Sequence, residues 1–135
     1  MTDVVDVLVV GAGPAGLTAA LSVARQRSKC VVLDGGSYRN DATDYMHLIP
    51  GFDHVLPSDF RAAGRSHMTS YYGDYVSVVS DVTVTETRQR DNDGLFEAIA
   101  SNGQTYVGRK LILASGVEDR FPDIEGYADC WGKSM

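Results

Sequence analysis

Cysteine is scarce in this chain, with two among 135 residues, Cys30 and Cys130. Two cysteines so far apart outline neither a disulfide framework nor a metal site, and His47, His54 and His67 show no ligand spacing either. Cys30 opens an apolar stretch and is expected to be a small buried strand residue. Cys130 follows a turn-like segment and is expected at the surface. Long apolar runs are also missing: no stretch of about 18 residues is suited to crossing a bilayer. The first 24 residues superficially resemble a signal peptide, but Asp3 and Asp6 stand where a positive region belongs, and a glycine turn interrupts the apolar run. There is no block of like charge, no internal repeat and no low-complexity segment. A net charge of −6 argues against nucleic acid or an anionic membrane surface as the main partner. The expectation is a cytoplasmic chain. With 44% hydrophobic and 22% charged residues, it has the composition and length of one globular domain around one core.

Against these absences stands one dense signal, Val7-Leu8-Val9-Val10-Gly11-Ala12-Gly13-Pro14-Ala15-Gly16-Leu17. It predicts a buried strand, a glycine turn and a helix start. Gly11 permits the tight turn, Gly13 lets a pyrophosphate approach, and Gly16 allows close packing of helix on strand. Backbone N–H groups and the positive end of the helix then face the phosphates. A GxGxxG alone is weak, because glycine turns are common. Here a strand precedes it, a helix follows, and Asp34 ends the next strand, 18 residues after Gly16. A carboxylate at that point accepts bonds from both ribose hydroxyls, and its charge disfavours the 2′-phosphate of NADP. A glycine turn with an unrelated aspartate is the bland alternative.

The rest of the chain predicts an α/β fold, a Rossmann-like half with a parallel sheet and an antiparallel three-stranded meander. Val4–Val10 has the continuous apolar character of a central parallel strand. Leu17, Ala20, Leu21 and Ala24 recur at helical spacing, so the first helix should run to about Arg27, and Cys30–Asp34 completes a βαβ unit. Gly35–Pro57 is a long segment of low periodicity, which in a compact domain is usually functional. Ser58 is placed to cap a helix whose packing face is Phe60, Ala63, Gly64, His67, Met68 and Tyr71. Tyr75–Val79 should be the third parallel strand. Val82–Gln89, Leu95–Ala100 and Gln104–Val107 alternate around Asp91-Asn92-Asp93-Gly94 and the hairpin signal Asn102-Gly103, giving the meander. Leu111–Ala114 is expected as a separate buried strand ending at Ser115-Gly116, where small residues allow close approach. A meander at this point, together with Ala114-Ser115-Gly116, fits a flavoprotein better than a nicotinamide dehydrogenase.

On these features, and on Tyr38-Arg39-Asn40, Met46-His47, Asp59-Phe60-Arg61-Ala62-Ala63 and Gly126–Ser134, the chain resembles the thioredoxin reductase-like family of class II pyridine nucleotide-disulfide oxidoreductases. It is most similar to the fungal-type branch that includes dithiol oxidases. The resemblance covers essentially the whole chain. It implies that Gly11, Gly13, Pro14, Ala15, Gly16, Asp34 and Gly35 bind the ADP half of FAD, with Asp81 and Val82 at the adenine. It further implies that Ala114-Ser115-Gly116, in place of the family's Ala-Thr-Gly, approaches the cofactor. Arg39 and Asn40 fall beside the pyrophosphate and ribityl chain, and His47 near the isoalloxazine, with a solvated loop histidine as the alternative.

The resemblance also implies what the chain should not do alone. Relatives carry a redox Cys-x-x-Cys a few residues beyond Trp131-Gly132-Lys133, and the sequence stops at Met135. Residues 1–117 are therefore expected to be a flavin-binding portion and 118–135 a connection toward a nucleotide-binding and redox domain. No residue is assigned as catalytic or as a metal ligand. In full-length relatives NADPH or O₂ is the electron partner, the substrate is a small dithiol or a thioredoxin-like protein, and a homodimer is admitted. The isolated chain is expected to bind FAD weakly or not at all and to lack turnover. A non-catalytic module for NAD or ADP-ribose is the alternative. A non-functional truncation product, poorly soluble because of an unpaired sheet edge, is the third expectation.

Overall fold

The structure, a computed structural model, describes residues 3–131. Six strands form one mixed sheet in the order β3-β2-β1-β6-β5-β4. They are β1 (Val4–Val10), β2 (Cys30–Leu33), β3 (Val76–Val79), β4 (Val84–Gln89), β5 (Phe96–Ala100) and β6 (Thr105–Leu113). The helices are α1 (Pro14–Arg25), α2 (Pro57–Tyr72) and the short α3 (Tyr127–Cys130), with a single 3-10 turn over Arg39–Ala42.

β1 lies between β2 and β6 and runs parallel to both, with Val9 opposite Val32 on one side and Ile112 on the other. Its alternating side chains enter two cores. Val9 joins Leu17, Ala20 and Ala24 of α1 and Met68 of α2, whereas Leu8 joins Leu33, Val82, Ala98 and Ala100. Helices cover one face and meander residues pack on the other, which is why β1 has no polar face.

The α/β architecture with parallel strands and an antiparallel β4-β5-β6 meander is as the sequence predicts. Several details differ. Residues 104–107 and 111–114 are not two strands, because β6 runs unbroken from Thr105 to Leu113. Thr105 to Gly108 pair antiparallel with β5 on one edge, and Val107 to Leu113 pair parallel with β1 on the other. Gly108 in its middle passes against Leu8, where a Cβ would come within 2.7 Å of Leu8 Cγ. The end of β6 is not fully buried either, since Leu113 is exposed. α1 stops at Arg25, and Arg27 takes a left-handed conformation with φ of 59°. β4 begins at Val84, leaving Val82 as a buried residue ahead of it.

α2 is rotated from the expected face by about one residue. Its N-cap is Leu56, with Pro57 in the first turn, so Ser58 is not the cap. The buried residues are Pro57, Arg61 and Met68, and His67 and Tyr71 are exposed. Hydrophobicity alone favoured Phe60 and Tyr71. The helix instead turns two arginines inward, Arg65 toward the buried Asp34 and Arg61 toward Asn40 and Asp41. The 118–131 connection contains α3, and Gly132-Lys133-Ser134 of the terminal motif lie outside the described residues.

Candidate functional site

The chain leaves β1 through α1 to β2 and β3 on one side, then returns to β6 on the other. Adjacent strands whose connections depart in opposite directions open a crevice at their C-terminal ends, where ligands of such sheets sit. A cavity of about 610 Å³ occupies that place. The glycine turn, the end of β2, the Tyr38–Asn40 loop, Val82 and the Ala114–Gly116 strand end line it. A second hollow of about 570 Å³ adjoins it, sharing Tyr38, Arg39, Ser115, Gly116 and Trp131.

Backbone alone shapes one end. Gly11 has φ of 101°, and a Cβ there would collide with the Ala114 carbonyl. A Cβ at Gly16 would collide with the Gly11 carbonyl. Gly11 N–H donates to Leu33 C=O and Ala114 N–H to Val10 C=O, each at 2.8 Å, so the turn is tied to both neighbouring strand ends. Gly13 is different: a Cβ there would meet nothing within 4 Å. Protein packing does not require a glycine at Gly13, which leaves space for a ligand. α1 starts at this point with Pro14 in its first turn, no side-chain cap and no acidic residue. Its free N–H groups and dipole make a place for an anion.

Side chains build the other end. Asp34 is 3% exposed. Its Oδ1 accepts the Gly36 N–H at 3.0 Å. Its Oδ2 accepts the Tyr38 hydroxyl at 2.7 Å and Nη2 of Arg65. Burial pushes the Asp34 carboxyl pKa up, but the bonds from Tyr38, Gly36 and Arg65, with the arginine charge, outweigh it and hold the group below the ordinary carboxylate value. Arg61, also buried, lies 3.8 Å over the Tyr38 ring. It donates to Asn40 Oδ1 at 2.8 Å and to Asp41 Oδ1 at 2.6 Å. The two arginines thus brace the Tyr38–Asp41 loop from below.

Most of the residues singled out from the sequence converge on the cavity. Gly11, Gly13, Pro14, Ala15, Asp34, Gly35, Arg39, Asn40, Val82, Ala114, Ser115 and Gly116 line it. Gly16 is buried beneath the turn. Asp81 is exposed, with φ of 60°, and is not among the lining residues. His47 lies apart. It is exposed on the hairpin closed by the Met46–Val55 bridge, with Nδ1 3.5 Å from Asp53 Oδ1 and its ring 5.6 Å from His54. Arg39 faces the cavity, but Asp119 holds its guanidinium at 2.8 Å, 80 residues along the chain. Asn40 is likewise engaged by Arg61.

No sequence motif marks Arg65 or Asp119, and Tyr38 and Arg61 are marked only as motif residues without a role of their own. Arg61 and Arg65 do carry a signal, since with Pro57, Gly64, Met68 and Tyr72 they form one helical stripe. Among the described residues no group of three or more His, Cys, Asp or Glu could hold a metal ion. No described helix is long and apolar enough to cross a membrane.

A glycine turn at a topological switch point, an uncapped helix above a groove and an acid closing the second strand define a dinucleotide-binding βαβ unit. Residues 5–135 match the family model for pyridine nucleotide-disulphide oxidoreductases, and the chain belongs to that family. It is 52% identical over 134 residues to thioredoxin reductase tcpT of Claviceps purpurea, covering 99% of this chain and 41% of that protein. It is 47% identical over 131 residues to thioredoxin reductase aclD of Aspergillus oryzae, covering 96% and 40%. A crystal structure of an oxidoreductase from Agrobacterium tumefaciens matches with a TM-score of 0.87 at 30% identity, over 97% of this chain and 43% of that one. The chain therefore spans about two fifths of the length of these relatives.

Proposed function

We propose that this chain holds the ADP half of FAD, as the cofactor-binding portion of a thiol/disulfide oxidoreductase. The observation that carries this is Gly13. Its missing side chain faces open space at the uncapped N-terminus of α1, where a pyrophosphate would fill the gap and take the free N–H groups. Asp34 and Gly35 would meet the ribose and Val82 the adenine. Ala114-Ser115-Gly116 would pass the pyrophosphate onward, with Arg39 and Asn40 beside the ribityl chain. The continuation of the groove past Ser115 and Trp131 leaves room for a ligand longer than ADP. FAD held there would supply a two-electron carrier, reduced by a dithiol and reoxidised by O₂ in an oxidase, or reduced by NADPH and reoxidised by a disulfide in a reductase, the sulfur substrate being small or carried on a thioredoxin-like protein.

Within this proposal, residues 1–117 form the flavin-binding part and 118–135 the connection, in a cytoplasmic protein that as a whole is an oxidase or a reductase. The chain's own cysteines are not the dithiol. Cys30 is buried in β2, and burial pushes its thiol up to about 11, away from the thiolate. Cys130 is exposed, and the other cysteine among these 135 residues is the buried Cys30.

The test is titration of the purified chain with FAD and with NAD, followed by protein amide shifts. The expected result is weak FAD binding that shifts Gly13, Ala15 and Gly116, without thiol oxidation or NADPH turnover. Saturation by NAD with no response to FAD would establish the non-catalytic module instead. Tight bound flavin with thiol turnover would overturn the expectation that the isolated chain is inactive.

A further inference from the structure

The acidic end of the groove contains a cation that ribose binding does not by itself require. Arg65 of α2 donates through Nη2 to Asp34 Oδ2 and, at 2.7 Å, to the Tyr38 oxygen. Its Nη1 reaches Ser80 Oγ at 3.3 Å. The Tyr38 hydroxyl in turn donates to the same Oδ2. A carboxylate oxygen has about two acceptor sites, so both sites of Oδ2 are taken within the protein. Oδ1 accepts only the Gly36 N–H and keeps one site. The Asp34 side chain is 4% exposed and that of Arg65 27%, so the pair is shielded and its geometry restricted.

We propose that Arg65 is a positioning residue for the adenosine ribose, locking Oδ2 of Asp34 so that the one free site on Oδ1 is presented to a hydroxyl of the ligand's diol. This rests on the ADP-half cradle proposed above, and it changes the charge logic of that cradle. An isolated aspartate repels a 2′-phosphate by its charge. The Asp34–Arg65 pair is neutral, so charge contributes little to that exclusion. Removing the cation restores the repulsion and frees the carboxylate to rotate.

The full chain and its R65Q, R65K and Y38F variants are titrated with FAD, ADP-ribose and 2′-phospho-ADP-ribose, with circular dichroism as the check on folding. The R65Q dissociation constants for FAD and ADP-ribose are expected to rise about tenfold, the scale of a lost charge-assisted bond. R65K should restore most of the affinity. Preference for ADP-ribose over its 2′-phosphorylated form should rise in R65Q. As pH falls, R65Q should begin to lose affinity at a higher pH than the unsubstituted chain, because Arg65 is one of the groups, with Tyr38 and Gly36, that hold the Asp34 carboxyl down. A merely structural arginine would weaken all three ligands equally and leave the pH profile unmoved, and that result overturns the proposal. Y38F removes one donor to Oδ2 and keeps the cation. A rise of about threefold supports the lock, and no change counts against it even where R65Q does not fold. Binding by the unsubstituted chain with R65Q unaffected overturns this inference alone. No response of the unsubstituted chain to FAD or ADP-ribose overturns the cradle and this inference with it.

Discussion

The two ends of the groove are made by different means. At the glycine turn, backbone does everything: carbonyls and N–H groups of Gly11, Ala114, Val10 and Leu33 set the shape, and no ionisable side chain takes part. At the acid end, Asp34, Tyr38, Arg65, Arg61, Asn40 and Asp41 set it through side-chain bonds that reach from β2 to α2. Where backbone collision sets the shape, as at Gly11 and Gly16, no added atom is tolerated, but that shape is indifferent to pH. A site shaped by ion pairs tolerates conservative change and responds to acid. The first end is rigid by exclusion and the second by attraction.

The largest expected effect lies at the first end. Gly16→Val drives a side chain into the Gly11 carbonyl and parts α1 from β1. It should cost about 4 kcal/mol or more, at the upper extreme for point substitutions, and urea unfolding reads this directly. A loss below about 1 kcal/mol would mean that the turn is not rigid and that the comparison fails. Gly13→Val separates shape from stability within the same turn. Open space around Gly13 predicts an unfolding midpoint near that of the parent, with dinucleotide affinity reduced about a hundredfold by the blocked anion site.

Asp34→Asn tests the second end. From sequence this change should weaken adenine-dinucleotide binding and leave the fold untouched. The structure adds a stability cost, because Arg65 loses its carboxylate in a largely buried place. About 2 kcal/mol is expected, discounted from a fully buried pair because the arginine is partly solvated, along with about tenfold weaker ADP-ribose binding. A variant as stable as the parent would show that the pair contributes nothing net.

Acid should act on the same end. Asp34 is held below the ordinary value of 3.8 in the folded chain. The unfolded chain therefore takes up the proton first as pH falls. The stability contributed by Asp34 is fully present above about pH 4 and is lost as pH drops through the lowered folded value. Urea midpoints measured from pH 6 to 3 should fall, and more gently in Asp34→Asn. Equal slopes would move the acid response to Asp53, Asp93 or Glu97, whose carboxyls are also held low. The smallest effect is Arg39→Ala. Its exposed pair with Asp119 crosses the groove but should leave the urea midpoint unchanged within error.

How far the site was legible follows the same division. Gly11 and Gly16 are visible because close backbone approach leaves room only for glycine there, and Gly13 because it falls at a fixed local spacing between them. Asp34 is visible because β2 delivers it a set distance beyond the turn. Arg65 lies 31 residues from Asp34, and its partner is chosen by packing, which no local pattern encodes. Hydrophobic periodicity even pointed away from it, since Phe60 and Tyr71 drew the α2 face round by about a residue. His47 was singled out by a motif and not by local spacing, and the structure holds it on the Met46–Val55 hairpin toward Asp53, apart from the residues that line the cavity.

The sequence by itself determined the βαβ unit, the glycine turn and the meander, because each depends on contacts within a few residues or on strand periodicity. Only the tertiary structure decided that 105–113 is one strand serving two pairings, that α2 turns its arginines inward, and that Asp34 is a neutralised acid. Those outcomes depend on buried polar groups finding partners across the fold. A buried charge must be matched wherever its partner lies in sequence.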